Sequence, residues 1–424
     1  MTHTEETRVS GVGRGYAKYA LVLLTVVNLV NYLERNAIFA LFEPVKRDLG
    51  FSDGRLGWLG SAYVLVFSLA SVPAGVVGDL GSRRVVVAGG ILLWSVATSL
   101  SGLVDGFGEL LFARALVGLG GAAAAAGAAS MVADYFPGRR RALAMSVFMV
   151  GLAIGGVLGI LLAGTLEHLY GWRAAFVFLG LPGFVLAALV LRIKDPTRPK
   201  PPLREGAEAL FETMRELAGV ARRILRTRTL LAVFGGGALI SFGMNGLVGW
   251  APAFLSRELA LSTAKASVIL GTYGLGAGIA GTVAGGWVAD WLRTRMQGAR
   301  LVTTGLGFII GAPLAIWLLH TRDMAFFTPI FCAAFFFLTW YNGPLTTVIF
   351  DVVPSRVATT VMGAYLMFIH LAGDAVAFPL VGFLSDHFGL HRAVVLLPVA
   401  ALAGGLIVMS AVKSFAGDVV AARA

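Results

Sequence analysis

Among the polar residues of the first long apolar stretch of the chain are Asn28, Asn31, Glu34 and Arg35. At 100° per residue they share one stripe, so an otherwise greasy helix carries a polar face. An ionisable group at membrane depth is costly unless it is paired or lines a wet cavity. A helix that only anchored the chain has no need of two. The stripe therefore either lines a central cavity where Glu34 takes up a proton, or lets Glu34 and Arg35 pair with neighbouring helices and hold a bundle together. Arg114 lies in a later apolar stretch at a similar depth, roughly 12 Å below the outer surface at 1.5 Å per residue. Its planar fork suits either Glu34 or an anionic headgroup, and a static ion pair is the structural alternative. His370 and Asp374 stand four apart on one helix face, as a proton relay, a headgroup contact or a pair that locks helices. Asn245, Tyr341 and Asn342 are further polar groups at depth, placed to line a cavity or to bond between helices.

These residues must be positioned by membrane helices. Apolar runs long enough to cross a bilayer cover 16–42, 55–78, 85–103, 107–133, 141–165 and 173–193, here spans 1 to 6. Spans 7 to 12 cover 229–255, 263–289, 300–319, 324–350, 357–385 and 391–413. The composition agrees, with 57% hydrophobic and 13% charged residues and a mean hydropathy of +0.82. A soluble domain needs far more surface charge. The expected fold is an all-α polytopic membrane protein with twelve transmembrane helices in two pseudo-symmetric six-helix bundles. The bundles are residues 1–193 and 229–424, joined by a cytoplasmic linker, 194–228.

The linker opens with Asp195-Pro196-Thr-Arg-Pro-Lys-Pro-Pro202, which no helix accommodates, and 203–226 then reads as an amphipathic helix on the inner membrane surface. Placing both termini in the cytoplasm puts 24 lysines and arginines in inner segments and eight in outer loops, a positive-inside bias. The net charge of +11 is thus a topology signal rather than a sign of nucleic-acid binding. The expected location is the inner cell membrane, multi-pass. The single cysteine, Cys332, excludes a disulfide framework and a thiolate metal site. No ATP-binding motif, metal cluster or nucleophile elbow is visible, so the chain is expected to be no enzyme and to use no cofactor.

The two halves repeat. Gly75-Val-Val-Gly-Asp79-Leu-Gly-Ser-Arg83-Arg84 follows span 2, and Gly286-Trp-Val-Ala-Asp290-Trp-Leu-Arg293-Thr-Arg295 follows span 8. Asp134-Tyr-Phe-Pro137-Gly-Arg139 is echoed 217 residues later by Asp351-Val-Val-Pro354-Ser-Arg356, and the segment ending at Gly171 by the one ending at Gly389. Paired loops at the inner mouth predict gating by Asp79, Arg83, Arg84, Asp134, Asp290 and Asp351 through ion pairs that break and reform. The small residues from Gly118 to Ala129, and Gly151, Gly155 and Gly159, are expected to let helix backbones approach closely.

Twelve spans, the Gly-x-x-x-Asp…Arg-Arg loop with its echo, and Arg114-Ala-Leu-Val-Gly118 resemble the major facilitator superfamily over nearly the whole chain. The spinster-like branch is a closer resemblance. It is carried by Asn31-Tyr-Leu-Glu34-Arg35, Leu56-Gly-Trp-Leu-Gly-Ser-Ala-Tyr63, Ala113-Arg114-Ala-Leu-Val-Gly118 and Val132-Ala-Asp-Tyr-Phe-Pro137, and by Asn342-Gly-Pro344, Asp351-Val-Val-Pro354 and Ile369-His-Leu-Ala-Gly-Asp374. The resemblance implies a monomeric, proton-linked carrier of lysophospholipids or sphingosine-phosphate-like lipids. Its partners would be protons, membrane lipids and a small amphipathic substrate. Glu34 stands where the pattern has aspartate, and Gly120-Gly121 lies where it has a span-4 glutamate, which leaves Glu34 to carry coupling alone. Within this frame Glu34 is the proton-coupling residue, and Asn31, Arg35, Arg114, Asn245, Tyr341, Asn342, His370 and Asp374 bind substrate. A small organic anion or a hydrophobic drug is the alternative cargo.

Overall fold

A computed structural model describes residues 13–136, 140–195, 219 and 223–423. Ten helices among them are long and apolar enough to cross a membrane. One of these, Leu143–Arg192, is two spans run together, because the chain turns at Gly171 with φ of 81°. The short apolar helix Met324–Leu338 is followed by a turn and by Pro344–Asp351, which together make span 10. Twelve spans result, and the protein is an all-α, multi-pass membrane protein. Large apolar side chains such as Val22, Leu69, Val185 and Trp317 face outward, which lipid tolerates and water does not.

By contacts the chain divides into two compact units: Met1–Phe51 with Ala62–Glu212, and Ser52–Ser61 with Thr213–Ala424. The helix of span 2, Asp53–Leu80, contributes its first turns to the second unit and the remainder to the first. The amphipathic helix expected over 203–226 lies outside the described residues, except for Gly219 and 223–226.

Within the first unit the glycine stripe of span 5 explains how closely its backbone approaches span 1. A Cβ on Gly151, Gly155 or Gly159 would stand 2.6, 2.1 and 2.2 Å from the carbonyl oxygens of Thr25, Leu29 and Leu33. Only glycine fits at such contacts, and lipid supplies no hydrophobic force to replace the packing they permit. The repeat ending at Gly171 and Gly389 also has a physical reason. Both residues have positive φ, 81° and 84°, where glycine alone is unstrained, and each closes the turn between two spans of its own unit.

The second unit interrupts two helices with a π turn, at Ile269–Tyr273 in span 8 and His370–Asp374 in span 11. Such turns are rare in helices and recur at functional sites.

Candidate functional site

Consecutive residues on a helix point about 100° apart, and this separates Glu34 from Arg35. Glu34 is wholly buried, whereas Arg35 is partly exposed. The groups acting on the Glu34 carboxyl are the Thr98 hydroxyl, the Arg114 guanidinium and the Trp94 indole, yet none closes a well-formed hydrogen bond on either oxygen. Thr98 and Trp94 come from Arg83–Ser101, the helix of span 3, which offers no ionisable residue at that depth and so drew no attention in the sequence.

Arg114, in Phe107–Tyr135 of span 4, is also wholly buried. Its Nη2 donates to the backbone carbonyls of Glu34 and Arg35, each at 3.3 Å. The expected partnership therefore takes a different form: the guanidinium grips the turn of span 1 that carries the two charged residues, and no salt bridge to the carboxylate forms. A side chain with no exposure does not meet a headgroup unless the helices part.

Arg35 lies over two rings, 5.4 Å from the centroid of Tyr32 and 5.3 Å from that of Tyr63. Tyr63 donates to Asn31 Oδ1 at 3.2 Å and stacks on Phe67. Asn31 also lies against Gly121, where a Cβ would stand 2.8 Å from the Asn31 amide nitrogen. Asn31, Tyr32, Arg35 and Tyr63 thus form one polar and aromatic patch. Tyr63 was visible in the sequence only as part of a motif. Asn28 serves packing, its amide donating to the Phe148 carbonyl at 2.9 Å.

The second unit assembles its own cluster. Asp374 is wholly buried at the end of the π turn. It accepts from the Ser241 hydroxyl and, at 2.9 Å, from the Asn245 amide, while His370 Nδ1 lies 2.7 Å from its other oxygen. Tyr341 lies within electrostatic reach of Asp374 and packs on Phe308. Asn245, Tyr341, His370 and Asp374 are therefore brought together. Asn342 is not: it is exposed and donates to Thr282 at 3.0 Å. Ser241, one turn before Asn245, was not marked by the sequence.

Of the residues expected to gate, three form ion pairs within their own unit. Arg83 meets Asp134, and Arg300 meets Asp351. Both pairs span 51 residues and sit 217 apart in the chain, so the structural counterpart of Arg83 is Arg300 rather than Arg293 or Arg295. Arg84 reaches the Ile193 carbonyl at 3.4 Å. Asp290 is exposed, and the Asp79 side chain lies outside the described residues. A further pair went unforeseen. Asp53 is almost wholly buried, binds Arg257 through both oxygens at 2.6 and 2.7 Å, and accepts from Ser385. Asp386 caps the same helix end through the backbone N–H groups of Asp53 and Gly54, at 2.8 and 2.9 Å.

Residues 24–374 match the family model described as Major Facilitator Superfamily. The chain belongs to that superfamily. It is a transporter and not an enzyme. Among its relatives is Protein spinster of Drosophila melanogaster, 26% identical over 91% of this chain; the chain spans 64% of that protein's length. An MFS-type efflux pump of Mycolicibacterium smegmatis is 28% identical, covering 94% of this chain and 92% of the relative. The mouse sphingosine-1-phosphate transporter SPNS2 is 26% identical over 93% of this chain and 77% of its own length. Among solved structures, a bacterial homologue of the human lysosomal transporter spinster, in an inward-facing and unoccupied conformation, superposes with a TM-score of 0.84. It shows 22% identity over 96% of this chain and 99% of that one.

Proposed function

We propose that the chain is a proton-coupled secondary transporter that moves a single-chain anionic lipid, a lysophospholipid or a sphingosine-1-phosphate-like molecule, by alternating access across the inner cell membrane, with both termini cytoplasmic. The supporting observation is the division of labour in span 1. Glu34 is a carboxyl held out of water, the setting in which a membrane acid gains a function. Its neighbour Arg35 keeps a partly exposed cation on a bed of tyrosine rings. In this reading Arg35, with Asn31 and Tyr63, takes the anionic headgroup, and Arg114 positions the turn that carries both charges. His370, Asp374, Asn245 and Tyr341 contribute a second polar cluster, and Arg83–Asp134 and Arg300–Asp351 act as gates.

The likeness to a sphingosine-1-phosphate transporter supports a lipid cargo. The likeness to an efflux pump, matched over nearly all of its length, keeps a different cargo, a small organic anion or a hydrophobic drug, as the alternative. Reconstituted protein distinguishes the coupling modes. Wild type should accumulate oleoyl-lysophosphatidylglycerol in response to an imposed pH gradient, and Glu34→Gln should bind this lipid but ignore the gradient. Glutamine keeps the shape and cannot titrate. A Glu34→Gln variant that follows the gradient as wild type does refutes coupling through this residue.

A further inference from the structure

We infer that His391 and His320 form a protonation site separate from Glu34, at the end of the second unit opposite the Arg300–Asp351 pair, and that acid loosens this end. In the topology proposed above it faces the exterior. The inference does not rest on Glu34 as the proton carrier.

The site stands out against its counterpart in the first unit. Gly171 and Gly389 make the same kind of turn, with φ of 81° and 84°, and the second residue beyond them is Arg173 in one unit and His391 in the other. Arg173 binds Asp48, near the end of the short helix Phe42–Leu49, and, at 2.6 Å, Asp105 in the turn between spans 3 and 4. An arginine stays charged throughout the range where histidine titrates, so this tie holds across it. Histidine is the side chain whose charge changes near neutrality, and it occupies the equivalent position in the second unit.

His391 opens the helix Leu390–Ser410 of span 12. Its ring stacks on Phe254 of span 7, centroids 6.1 Å apart, and meets the His320 ring at a right angle, 4.9 Å away. His320 ends the helix of span 9 and is exposed, with Nδ1 2.8 Å from the Ile316 carbonyl oxygen. A carbonyl only accepts, so Nδ1 donates and Nε2 is the nitrogen left to take a proton. The charged groups bearing on His391 are Glu258 at the end of span 7, Arg322 in the turn between spans 9 and 10, and its neighbour Arg392, besides His320 itself. Glu258 is already engaged: its carboxylate meets Arg322 at 2.7 Å, and Arg322 donates to the Glu258 carbonyl at 2.6 Å. On the end of span 11, Asp386 caps Asp53 and Gly54, and His387 lies against the Phe383 ring.

The balance of charge sets the direction. Two arginines stand against one carboxylate, so the site is positive before either histidine titrates. A proton on one ring adds repulsion, and protons on both set two cations 4.9 Å apart. A charged imidazole also carries N–H on both nitrogens, and His391 Nδ1 is buried with no acceptor in the protein. The packed arrangement therefore belongs to the neutral rings. It is complete above the histidine range and loosens as pH falls through it, while the Arg173 tie of the first unit stays closed.

The test is amide hydrogen exchange of the full chain in lipid nanodiscs at about pH 7.5 and about pH 5.5, either side of the ordinary histidine value of about 6.5. The intrinsic effect of pH on exchange is divided out. Protection of amides 389–396 should fall about fivefold at the lower pH, the upper range for one solvent-accessible charge pair, while that of amides 171–178 stays level. With His320→Gln and His391→Gln combined the fall should vanish, because glutamine stays polar and does not titrate. His320→Gln alone, at an exposed position, should lessen the fall and serves if the double variant does not fold. Glu34→Gln should respond as wild type does. Equal protection of 389–396 at both pH values in wild type would overturn the inference, and so would a fall that persists in full in the histidine variants. Loss of the response in Glu34→Gln would overturn it too, because the response would then belong to Glu34.

Discussion

Arg35 and Arg114 are the two arginines inside spans, and their burial assigns them different work. Arg114 holds two backbone carbonyls and meets no solvent, so Arg114→Ala should destabilise the first unit as well as weaken transport. A lower melting temperature in detergent is the expected sign, because truncation releases the carbonyls of Glu34 and Arg35 within a dry interior. Arg35→Ala should lower the melting temperature less than Arg114→Ala does and lower affinity for oleoyl-lysophosphatidylglycerol, since a cation–anion hydrogen bond is worth about 1.5–3 kcal/mol. Equal losses of affinity in both variants, with no loss of stability in Arg114→Ala, would contradict the assignment. Hydropathy and helical period were enough to mark Glu34, Arg35 and Arg114 as residues of interest. They could not say that Glu34 turns toward Thr98 and Trp94, because adjacent residues on one apolar helix have equal claim to the interior until the neighbouring helices are in place. Ser241 and Thr98 escaped notice for a related reason: a hydroxyl within an apolar run is common, and only the buried acid beside it gives it meaning.

At the scale of elements, the spans were legible because a bilayer fixes their length, and the glycine stripe of span 5 was rightly read as packing. Gly155→Ala should lower stability by about 1–3 kcal/mol, the usual cost of overpacking, since its Cβ would stand 2.1 Å from the Leu29 carbonyl. Thermal unfolding in detergent measures this, and an unchanged midpoint would mean that span 5 shifts freely on span 1. The π turn of span 11 was not legible, for no residue pattern from His370 to Asp374 announces a change of helical pitch. It matters because it sets how Asp374 meets Ser241 and Asn245. The Asp53–Arg257 pair was hidden in a different way, its partners falling at the ends of spans 2 and 7 where loop charges were counted only for topology. Arg257→Ala leaves a buried carboxylate without its main counter-ion and should cost about 3–5 kcal/mol, again read as a fall in melting temperature. Asp53→Asn is expected to cost less, because Ser385 and the Asp386 cap remain.

For the whole molecule, the internal repeat carried the architecture, and the structure refines its register. Aligning the halves on Asp79 and Asp290 points to Arg293 and Arg295, whereas the contacts pair Arg83 with Asp134 and Arg300 with Asp351 at a common offset of 217. If these pairs are equivalent gates, Asp134→Asn and Asp351→Asn should slow uptake to a similar degree while leaving equilibrium lipid binding intact. A defect in one alone would make the other a packing contact. Substrate class is the least legible feature, because a headgroup site needs few residues and an acyl chain asks only for apolar wall, which every membrane helix supplies. Phe335, Phe336 and Phe337 illustrate this: Phe335 packs on Phe331 and Gly278, and Phe336 on Phe337 and Trp340, so the aromatic run marks no acyl site by itself. Chain length in the ligand is the quantity that separates the possibilities. Proton-gradient-driven uptake should therefore be measured for a series of lysophosphatidylglycerols of increasing acyl length, with chainless glycerophosphoglycerol as competitor. A lipid carrier should gain affinity by up to about 0.8 kcal/mol per buried methylene until its wall is filled, and the chainless headgroup should compete poorly. Flat affinity along the series, with the chainless headgroup competing as well as the longest lipid, would contradict lipid transport and leave a small-anion carrier.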